Sequence, residues 1–155
     1  MSSTKQVVSL HYEQIVARAA SAMSNVPLPN EGWLRTLRKA LHMSGAQLAR
    51  RLGVTRALIA QTEKAELTGS VTIKKMQEIA EAMDCRFVYA VLPKTSVQEI
   101  ITTQATKKAK AYVDKTSKHM ALEDQSLDRN QIEFELRRLA QEMSKTPPRD
   151  LWDDE

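Results

Sequence analysis

Glycine, cysteine and aromatic residues are scarce in this chain of 155 residues. It has four glycines and one cysteine, and aromatic residues make up 5% of it. Few glycines and few aromatic residues favour helices over strands. The single cysteine, Cys85, excludes an internal disulfide bond and fits a reducing cytoplasm.

Motifs typical of enzymes and membrane proteins are also missing. His11, His42 and His119 are scattered, and with one cysteine they give no metal-ligand spacing. The chain has no Gly-rich phosphate loop and no Gly-x-Ser-x-Gly nucleophile elbow. The longest apolar run, residues 87–92, is too short to cross a bilayer, and residues 1–10 do not resemble a signal peptide. We therefore expect a cytoplasmic protein that is no enzyme, binds no metal or cofactor and enters no membrane.

The most informative stretch is residues 44–64, SGAQLARRLGVTRALIAQTEK. Ser44 can begin a helix, and Gln47 three residues later completes a capping box. Gly53 ends that helix at a position that needs a positive φ, and Thr55 caps a second helix. Two helices joined by a tight glycine-containing turn predict a helix-turn-helix, whose second helix can enter a DNA major groove.

The charge distribution favours this interpretation over an ordinary helical hairpin. Residues 31–64 contain seven Lys and Arg residues against two Glu residues, a net charge of +5, whereas the whole chain carries only +4. The basic charge is therefore concentrated in this segment, as contact with DNA phosphates requires.

The outward face of the second helix predicts the contacts with bases. Arginine pairs with guanine and glutamine with adenine, so Arg56 and Gln61 are candidate base readers, and Ala57 can touch a thymine methyl group. Phosphate contacts are predicted at helix starts and at one lysine: Ser44, Gln47, Thr55, Lys64, Ser70 and Thr72. For Ser70 and Thr72, a role as plain helix caps is an open alternative.

Residues 33–84 resemble the lambda-repressor-like (Xre) helix-turn-helix family, in which a five-helix domain holds the motif. The resemblance implies that Glu63, near the end of the second helix, forms an ion pair with Arg38 on the first helix of the domain. Two residues depart from the family pattern. Thr62 stands where an aliphatic residue is usual, which is expected to loosen packing, and Ala65 stands where glycine is usual.

The flanking segments predict further helices. An amphipathic helix spans residues 5–23, a proline-containing linker follows at 25–30, and a helix at 33–41 leads into the motif. A loop over residues 65–71 and a helix over 72–83 come after it.

Residues 85–92, CRFVYAVL, change the character of the chain. They are β-branched and aromatic and end at Pro93, so they predict a strand. Because no second strand is evident, we expect its partner in another copy of the chain or in another protein, with Phe87, Val88 and Tyr89 at the seam of a homodimer. The alternative is a strand packed on helices within the chain.

Two more helices are predicted beyond this strand. The first is long and capped by Thr95, and its lysines predict a solvated face or, alternatively, a DNA contact. The second starts at Ser126 or Asp128. The tail from Lys145, KTPPRDLWDDE, is broken by prolines and acidic at its end, which predicts either protein contact or a frayed terminus.

Four signatures carry a closer resemblance. They are Pro-Leu-Pro-x-x-Gly-Trp33, Ala82-Met-Asp-Cys85 running into Val-Tyr-Ala-Val-Leu-Pro93, Met120-Ala-Leu-Glu-Asp-Gln125, and Pro-Pro-Arg-Asp-Leu-Trp152. With them the chain resembles, over nearly its whole length, the bacterial family called mobile mystery protein A. The resemblance implies a small regulator encoded beside a Fic-domain protein, and therefore a toxin–antitoxin pair.

The same resemblance implies an element that neutralises the Fic toxin. Antitoxins of Fic proteins can carry a helix with the pattern Ser/Thr-x-x-x-Glu-Gly/Asn, whose glutamate occupies the ATP γ-phosphate site of the toxin. Ser9 and Glu13 come nearest to this pattern, although Gln14 departs from it.

These observations predict a mainly α protein, with a lambda-repressor-like helix-turn-helix domain, one following β-strand and a C-terminal helical extension. The expected boundaries are 1–30 for the N-terminal helix and linker, 31–84 for the DNA-binding domain, 85–93 for the strand and 94–155 for the C-terminal helical region and tail. Two functional hypotheses follow: a sequence-specific repressor that binds operator DNA as a homodimer and autoregulates a toxin–antitoxin operon, and an antitoxin that binds a Fic-domain toxin and for which DNA binding is secondary. They are compatible, because they use different parts of the chain.

Overall fold

The computed structural model describes residues 3–123 and 127–153, and within these ranges the chain is helical and has no strand. The seven helices in these ranges are α1 (Ser3–Met23), α2 (Trp33–Ala40), α3 (Gly45–Leu52), α4 (Arg56–Thr68), α5 (Ile73–Ala82), α6 (Val97–Leu122) and α7 (Arg129–Lys145). The chain forms two compact units. The middle unit, residues 22–91, holds α2 to α5, and the terminal unit, residues 1–21 and 92–155, holds α6, α7 and most of α1.

The middle unit has a single apolar core to which its four helices contribute. The buried residues of this core are Leu34, Leu48, Ala49, Ile59, Met76, Ile79 and Met83. Leu48 on α3 and Ile79 on α5 are almost completely enclosed. Because α3 and α4 pack on the same core as α2 and α5, the core fixes the two helices of the motif on a rigid base.

Helix α4 is longer than the sequence predicted. It continues to Thr68 and ends at Gly69, whose φ of 75° lies in the left-handed region that favours glycine. The loop predicted for residues 65–71 is therefore wrong over its first four residues, because Ala65 is a good helix former. Thr62 is only 7% exposed, and its hydroxyl donates to the Leu58 carbonyl oxygen at 2.8 Å, so the unusual polar residue is satisfied within the helix.

The extra turn of α4 carries the residue that caps α2. Gly32 precedes α2 and has no side chain to cap it, and the Glu66 carboxylate accepts hydrogen bonds from the backbone N–H groups of Trp33 at 2.6 Å and Leu34 at 3.0 Å. A carboxylate at a helix N-terminus satisfies free N–H groups and interacts favourably with the helix dipole. Glu66 therefore ties α4 to the start of α2.

Gly32→Ala is expected to destabilise the middle unit by about 2 kcal/mol, because a non-glycine residue is strained at positive φ and the cap is disturbed. Gly32 has a φ of 83°, and a Cβ there would lie 2.8 Å from Glu66 Oε2. The measurement is urea unfolding. Gly45→Ala is the matched control, since a Cβ at Gly45 meets nothing closer than 3.9 Å, and it is expected to leave stability nearly unchanged. If Gly32→Ala and Gly45→Ala unfold at the same urea concentration, strain at Gly32 and disturbance of the Glu66 cap do not lower the stability.

The strand predicted for residues 85–93 is wrong: this segment has no regular secondary structure. Cys85 and Phe87 pack against the core of the middle unit, whereas Val88, Tyr89 and Val91 are exposed. The residue types favour extended backbone, but a strand needs a neighbouring strand to pair with, and none exists in the described part of the chain. The chain passes from the middle unit into the terminal unit within this segment, at Leu92.

The terminal unit is organised around the packed pair of long helices α6 and α7. Ala105, Ala109 and Val113 on α6 are buried, and their small size allows close packing. Asp128 caps α7 with a capping box, and the alternative start Ser126 lies outside the described residues. Helix α6 begins one residue later than predicted, capped by Ser96.

Candidate nucleic-acid interface

The turn between α3 and α4 fixes the angle at which the second helix leaves the first. Gly53 adopts a φ of 67° at the end of α3, and the N–H of Val54 donates to the Ala49 carbonyl oxygen at 3.0 Å. The Thr55 hydroxyl then accepts from the N–H of Leu58 at 3.2 Å and starts α4. This is the turn geometry of a helix-turn-helix.

The outward face of α4 carries small, polar and basic side chains. The exposed residues on this face are Arg56, Ala57, Ala60, Gln61 and Lys64. Arg56, Ala60 and Lys64 repeat every four residues and so form one stripe along the helix. The inward Ile59 is buried in the core and holds the stripe towards solvent. A helix with this pattern presents hydrogen-bond donors and a methyl group to a DNA groove.

The N-terminus of α3 lies beside the start of α4. A Cβ at Gly45 would be 3.9 Å from Cγ of Arg56, so Arg56 passes close to the first turn of α3. The two helix starts and α2 border a groove of about 640 Å³, lined by Glu31, Arg35, Arg38, Ser44, Gly45, Arg56, Ile59, Ala60, Gln61, Glu63, Lys64 and Leu67. The sequence patterns did not identify Arg35 and Gly45 as part of this site, because helix contact is not visible in local spacing.

The basic charge of the groove is not fully neutralised by its acidic residues. Glu31 pairs with Lys39 at 2.8 Å, whose hydrogen bond lowers the pKa of Glu31, and it lies 4.0 Å from Arg35. Arg56 and Lys64 make no ion pair among the residues that the structure describes. Two charges at the end of long flexible side chains are therefore available to an anionic ligand.

Each residue predicted to contact phosphate lies at or near a helix start, except Lys64 on the exposed face of α4. Ser44 and Gln47 bond each other in the capping box of α3, at 3.1 Å and 2.7 Å. Thr72 caps α5 by accepting from the N–H of Lys75 at 3.1 Å, and the Ser70 hydroxyl lies 2.9 Å from that of Thr68. These hydroxyl groups already have a structural role, so their phosphate contact stays a prediction.

The structure brings Arg38 and Glu63 together behind the interface. Arg38 Nε donates to Glu63 Oε1 at 2.6 Å and Nη2 donates to Oε2 at 3.1 Å, which is a bidentate pair. Arg38 Nη1 also donates to the Met43 carbonyl oxygen at 3.0 Å. The side chains are 14% and 12% exposed, and the hydrogen bond to Glu63 raises the pKa of Arg38. This pair and the Glu66 cap fix α4 to α2 at two points.

The remaining predicted residues lie elsewhere. Ser9 and Glu13 are on α1, where Glu13 borders a cavity of about 400 Å³ formed with the start of α6. Phe87 is half-buried and stacks on the Tyr89 ring at a centroid distance of 6.1 Å, and Val88 is exposed. In residues 3–123 and 127–153, no group of three or more His, Cys, Asp or Glu residues is arranged to hold a metal ion.

In the part of the chain that the structure describes, no helix combines the length and the apolar character that crossing a bilayer requires.

Comparison with known proteins finds a family match for the middle of the chain. Residues 34–89 match the family model described as helix-turn-helix. No curated protein and no solved structure matches the chain. The matched range covers the core, the turn at Gly53 and the exposed stripe of α4. Residues 34–89 therefore form a helix-turn-helix domain of the lambda-repressor-like type, which is a DNA-binding regulatory domain.

Proposed function

We propose that the protein is a sequence-specific transcriptional repressor that binds operator DNA through α3 and α4. The observation that supports this most is the exposed face of α4, on which Arg56, Gln61 and Lys64 surround two alanines, in a domain of a DNA-binding family. Arg56 and Gln61 read base edges, Ala57 meets a thymine methyl group, and Lys64 and the starts of α3 and α5 contact phosphates.

Arg56→Ala is expected to relax the preference for one base pair, because a bidentate arginine contact contributes about 1 to 3 kcal/mol of discrimination. Lys64→Ala is expected to lower the affinity for all DNA sequences alike and to reduce the slope of log affinity against log salt by about 1. The measurement is fluorescence anisotropy on the promoter of the protein's own operon and on a panel of single-base variants, at several salt concentrations.

The matched control is Arg149→Ala, which removes the same charge from an exposed position of the terminal unit. It is expected to leave base preference unchanged. If Arg56→Ala keeps both the affinity and the base preference of the wild-type chain, Arg56 does not enter the groove.

We propose further that two copies bind one operator. A single recognition helix reads only a few base pairs, so a two-fold dimer that places two α4 helices in successive major grooves, about 34 Å apart, gains affinity and specificity. Since residues 85–93 do not form a strand, the dimer is not assigned to a β-ladder. Sedimentation with and without a two-fold symmetric operator tests the proposal, and one copy bound per operator contradicts it.

A second function, as antitoxin to a Fic-domain protein in the cytoplasm, is proposed for the remainder of the chain. The observation that favours protein contact is α1, which has no buried residue and exposes Val8, Tyr12 and Ile15 on one face, at spacings of four and three residues. Exposed apolar patches of this kind are typical of protein interfaces. The identity of the partner and the inhibitory role of Ser9 and Glu13 rest on the resemblance to mobile mystery protein A.

Co-purification with the Fic-domain protein encoded beside it tests this function. The complex is expected to form, and Tyr12→Glu, which puts a charge on the exposed face of α1, is expected to weaken it at least tenfold. Glu13→Ala is expected to release toxin activity without loss of the complex. Arg18→Glu is a control on the same helix. Failure of the two proteins to associate contradicts the antitoxin role and leaves DNA binding untouched.

A further inference from the structure

The described part of the C-terminal tail, residues 145–153, docks on α6 through Asp150 and Leu151. Leu151 is 1% exposed, and its carbonyl oxygen accepts a hydrogen bond from Gln104 Nε2 at 2.9 Å. Lys108 Nζ pairs with the Asp150 carboxylate at 2.9 Å and also donates to the Asp150 carbonyl oxygen. The tail is therefore held by a buried aliphatic side chain and a lysine–carboxylate pair.

This docked tail shows what kind of segment the outer face of α6 can bind. The hydrogen bond from Lys108 lowers the pKa of Asp150, so the carboxylate is charged at neutral pH. A carboxylate therefore sits directly before a buried aliphatic residue. The stem of Lys108 is largely covered, with 19% of its side chain exposed, so the lysine supplies both apolar and charged contact.

The same face of α6 continues past the tail as an open groove of about 700 Å³. Tyr112, Lys115 and His119 line it at spacings of three and four residues, and Met143 on α7 contributes an apolar wall. Tyr112 is 60% exposed. Lys115 and His119 form no ion pair within the described residues. The groove thus combines a lysine with apolar side chains, as the surface that holds the tail does. No segment among the described residues occupies it.

We propose that this groove binds an acidic peptide segment of a partner protein, with a carboxylate on Lys115 and an apolar side chain against Tyr112 and Met143. The chain's own Asp150–Leu151 segment is already bound in cis, so the same segment of a second copy is engaged in the same way and does not supply the occupant. The inference goes beyond DNA binding, because the groove belongs entirely to the terminal unit.

Charge favours a peptide over nucleic acid at this groove. Asp150 and Asp153 line its end beside Pro148. Duplex DNA carries a charge every 1.7 Å or so along its axis and would bring phosphates against these carboxylates. A peptide can place one carboxylate at Lys115 and apolar side chains elsewhere, as the docked tail itself does.

The experiment uses the full chain and a fluorescein-labelled peptide with the sequence of residues 145–155, KTPPRDLWDDE, which supplies carboxylates beside apolar residues. A second peptide carries Asn and Gln in place of Asp and Glu. Anisotropy is expected to show binding of the acidic peptide and at least tenfold weaker binding of the amide peptide. Lys115→Gln with His119→Gln is expected to weaken the acidic peptide at least tenfold, and Lys115→Arg with His119 intact is expected to retain it.

Lys110→Gln is the matched control, because Lys110 lies on the same helix, is exposed and does not line the groove. It is expected to bind the acidic peptide as the wild-type chain does. The proposal is overturned by absence of binding at millimolar peptide. It is also overturned if Lys108→Gln abolishes binding while the Lys115 variants do not, since the peptide then only replaces the chain's own tail. Tighter, Lys115-dependent binding of a short random-sequence DNA duplex overturns it in favour of nucleic acid.

Discussion

Glu63→Ala is expected to lower the free energy of unfolding of the middle unit by about 3 kcal/mol, the lower end of the range of about 3 to 5 kcal/mol for breaking one half of a buried ion pair. The change leaves the Arg38 guanidinium without its bidentate partner in a site where its side chain is mostly covered. The lower end applies because both side chains keep some contact with water. The measurement is urea unfolding followed by Trp33 fluorescence in a Trp152→Phe background, which leaves one tryptophan in the chain.

Two further variants separate the ion pair from general effects of losing a carboxylate. Glu78→Ala removes an exposed carboxylate that pairs with Lys75 at 3.3 Å on α5, and its expected effect is below about 1 kcal/mol. The double variant Arg38→Met, Glu63→Leu replaces both charges with apolar groups and is expected to recover most of the lost stability. Unfolding of Glu63→Ala at the wild-type urea concentration would show that the pair does not stabilise the fold.

The helix-turn-helix could be predicted from the sequence because its signals are local. Ser44 and Gln47 are three residues apart, and Gly53 and Thr55 mark the end of one helix and the start of the next. A cap, a positive φ and a helical period each depend on neighbours within one or two turns. These features appear in the structure where the spacing indicated them.

The predicted strand shows where residue type is not enough. The segment CRFVYAVL has the side chains that fit a pleated surface, but strand formation depends on a second strand, which lies elsewhere in a chain or in another molecule. In this structure Phe87 packs against the core and Val91 is 90% exposed, so residues of the same short segment differ in whether they are buried. β-propensity therefore indicated extended backbone and could not indicate pairing.

Contacts between distant residues were the part of the interface that spacing could not reveal. Glu66 forms hydrogen bonds with the start of α2 across 32 and 33 positions, and its role depends on a helix end that the sequence patterns put too early, at Lys64. One signal was present, since Gly32 gives α2 no capping side chain and so leaves its first N–H groups to another residue. The pairing of Arg38 with Glu63 came from a family resemblance, not from spacing.

Leu151→Ala is expected to weaken docking of the tail by about 3 kcal/mol, within the range of about 2 to 5 kcal/mol for truncating a buried leucine. Leu151 is almost completely enclosed although it lies near the end of the chain, so its loss leaves Asp150 and Lys108 to hold the tail alone. A surface lysine–carboxylate pair contributes only about 1 kcal/mol or less. Trypsin cleavage after Arg149 reports on tail opening, and the cleavage rate is expected to rise on the order of a hundredfold.

Trp152→Ala is the control beside it, because Trp152 is 58% exposed and its truncation removes a large side chain from the same tail without emptying a buried site. Its cleavage rate is expected to stay within about threefold of the wild-type rate, since exposed substitutions usually change stability by about 0.5 kcal/mol or less. A Leu151→Ala chain that trypsin cleaves after Arg149 as slowly as the wild-type chain would mean that Lys108 and Gln104 hold the tail without the leucine. The buried side chain would then fill space in the terminal unit and would not be what anchors the tail to α6.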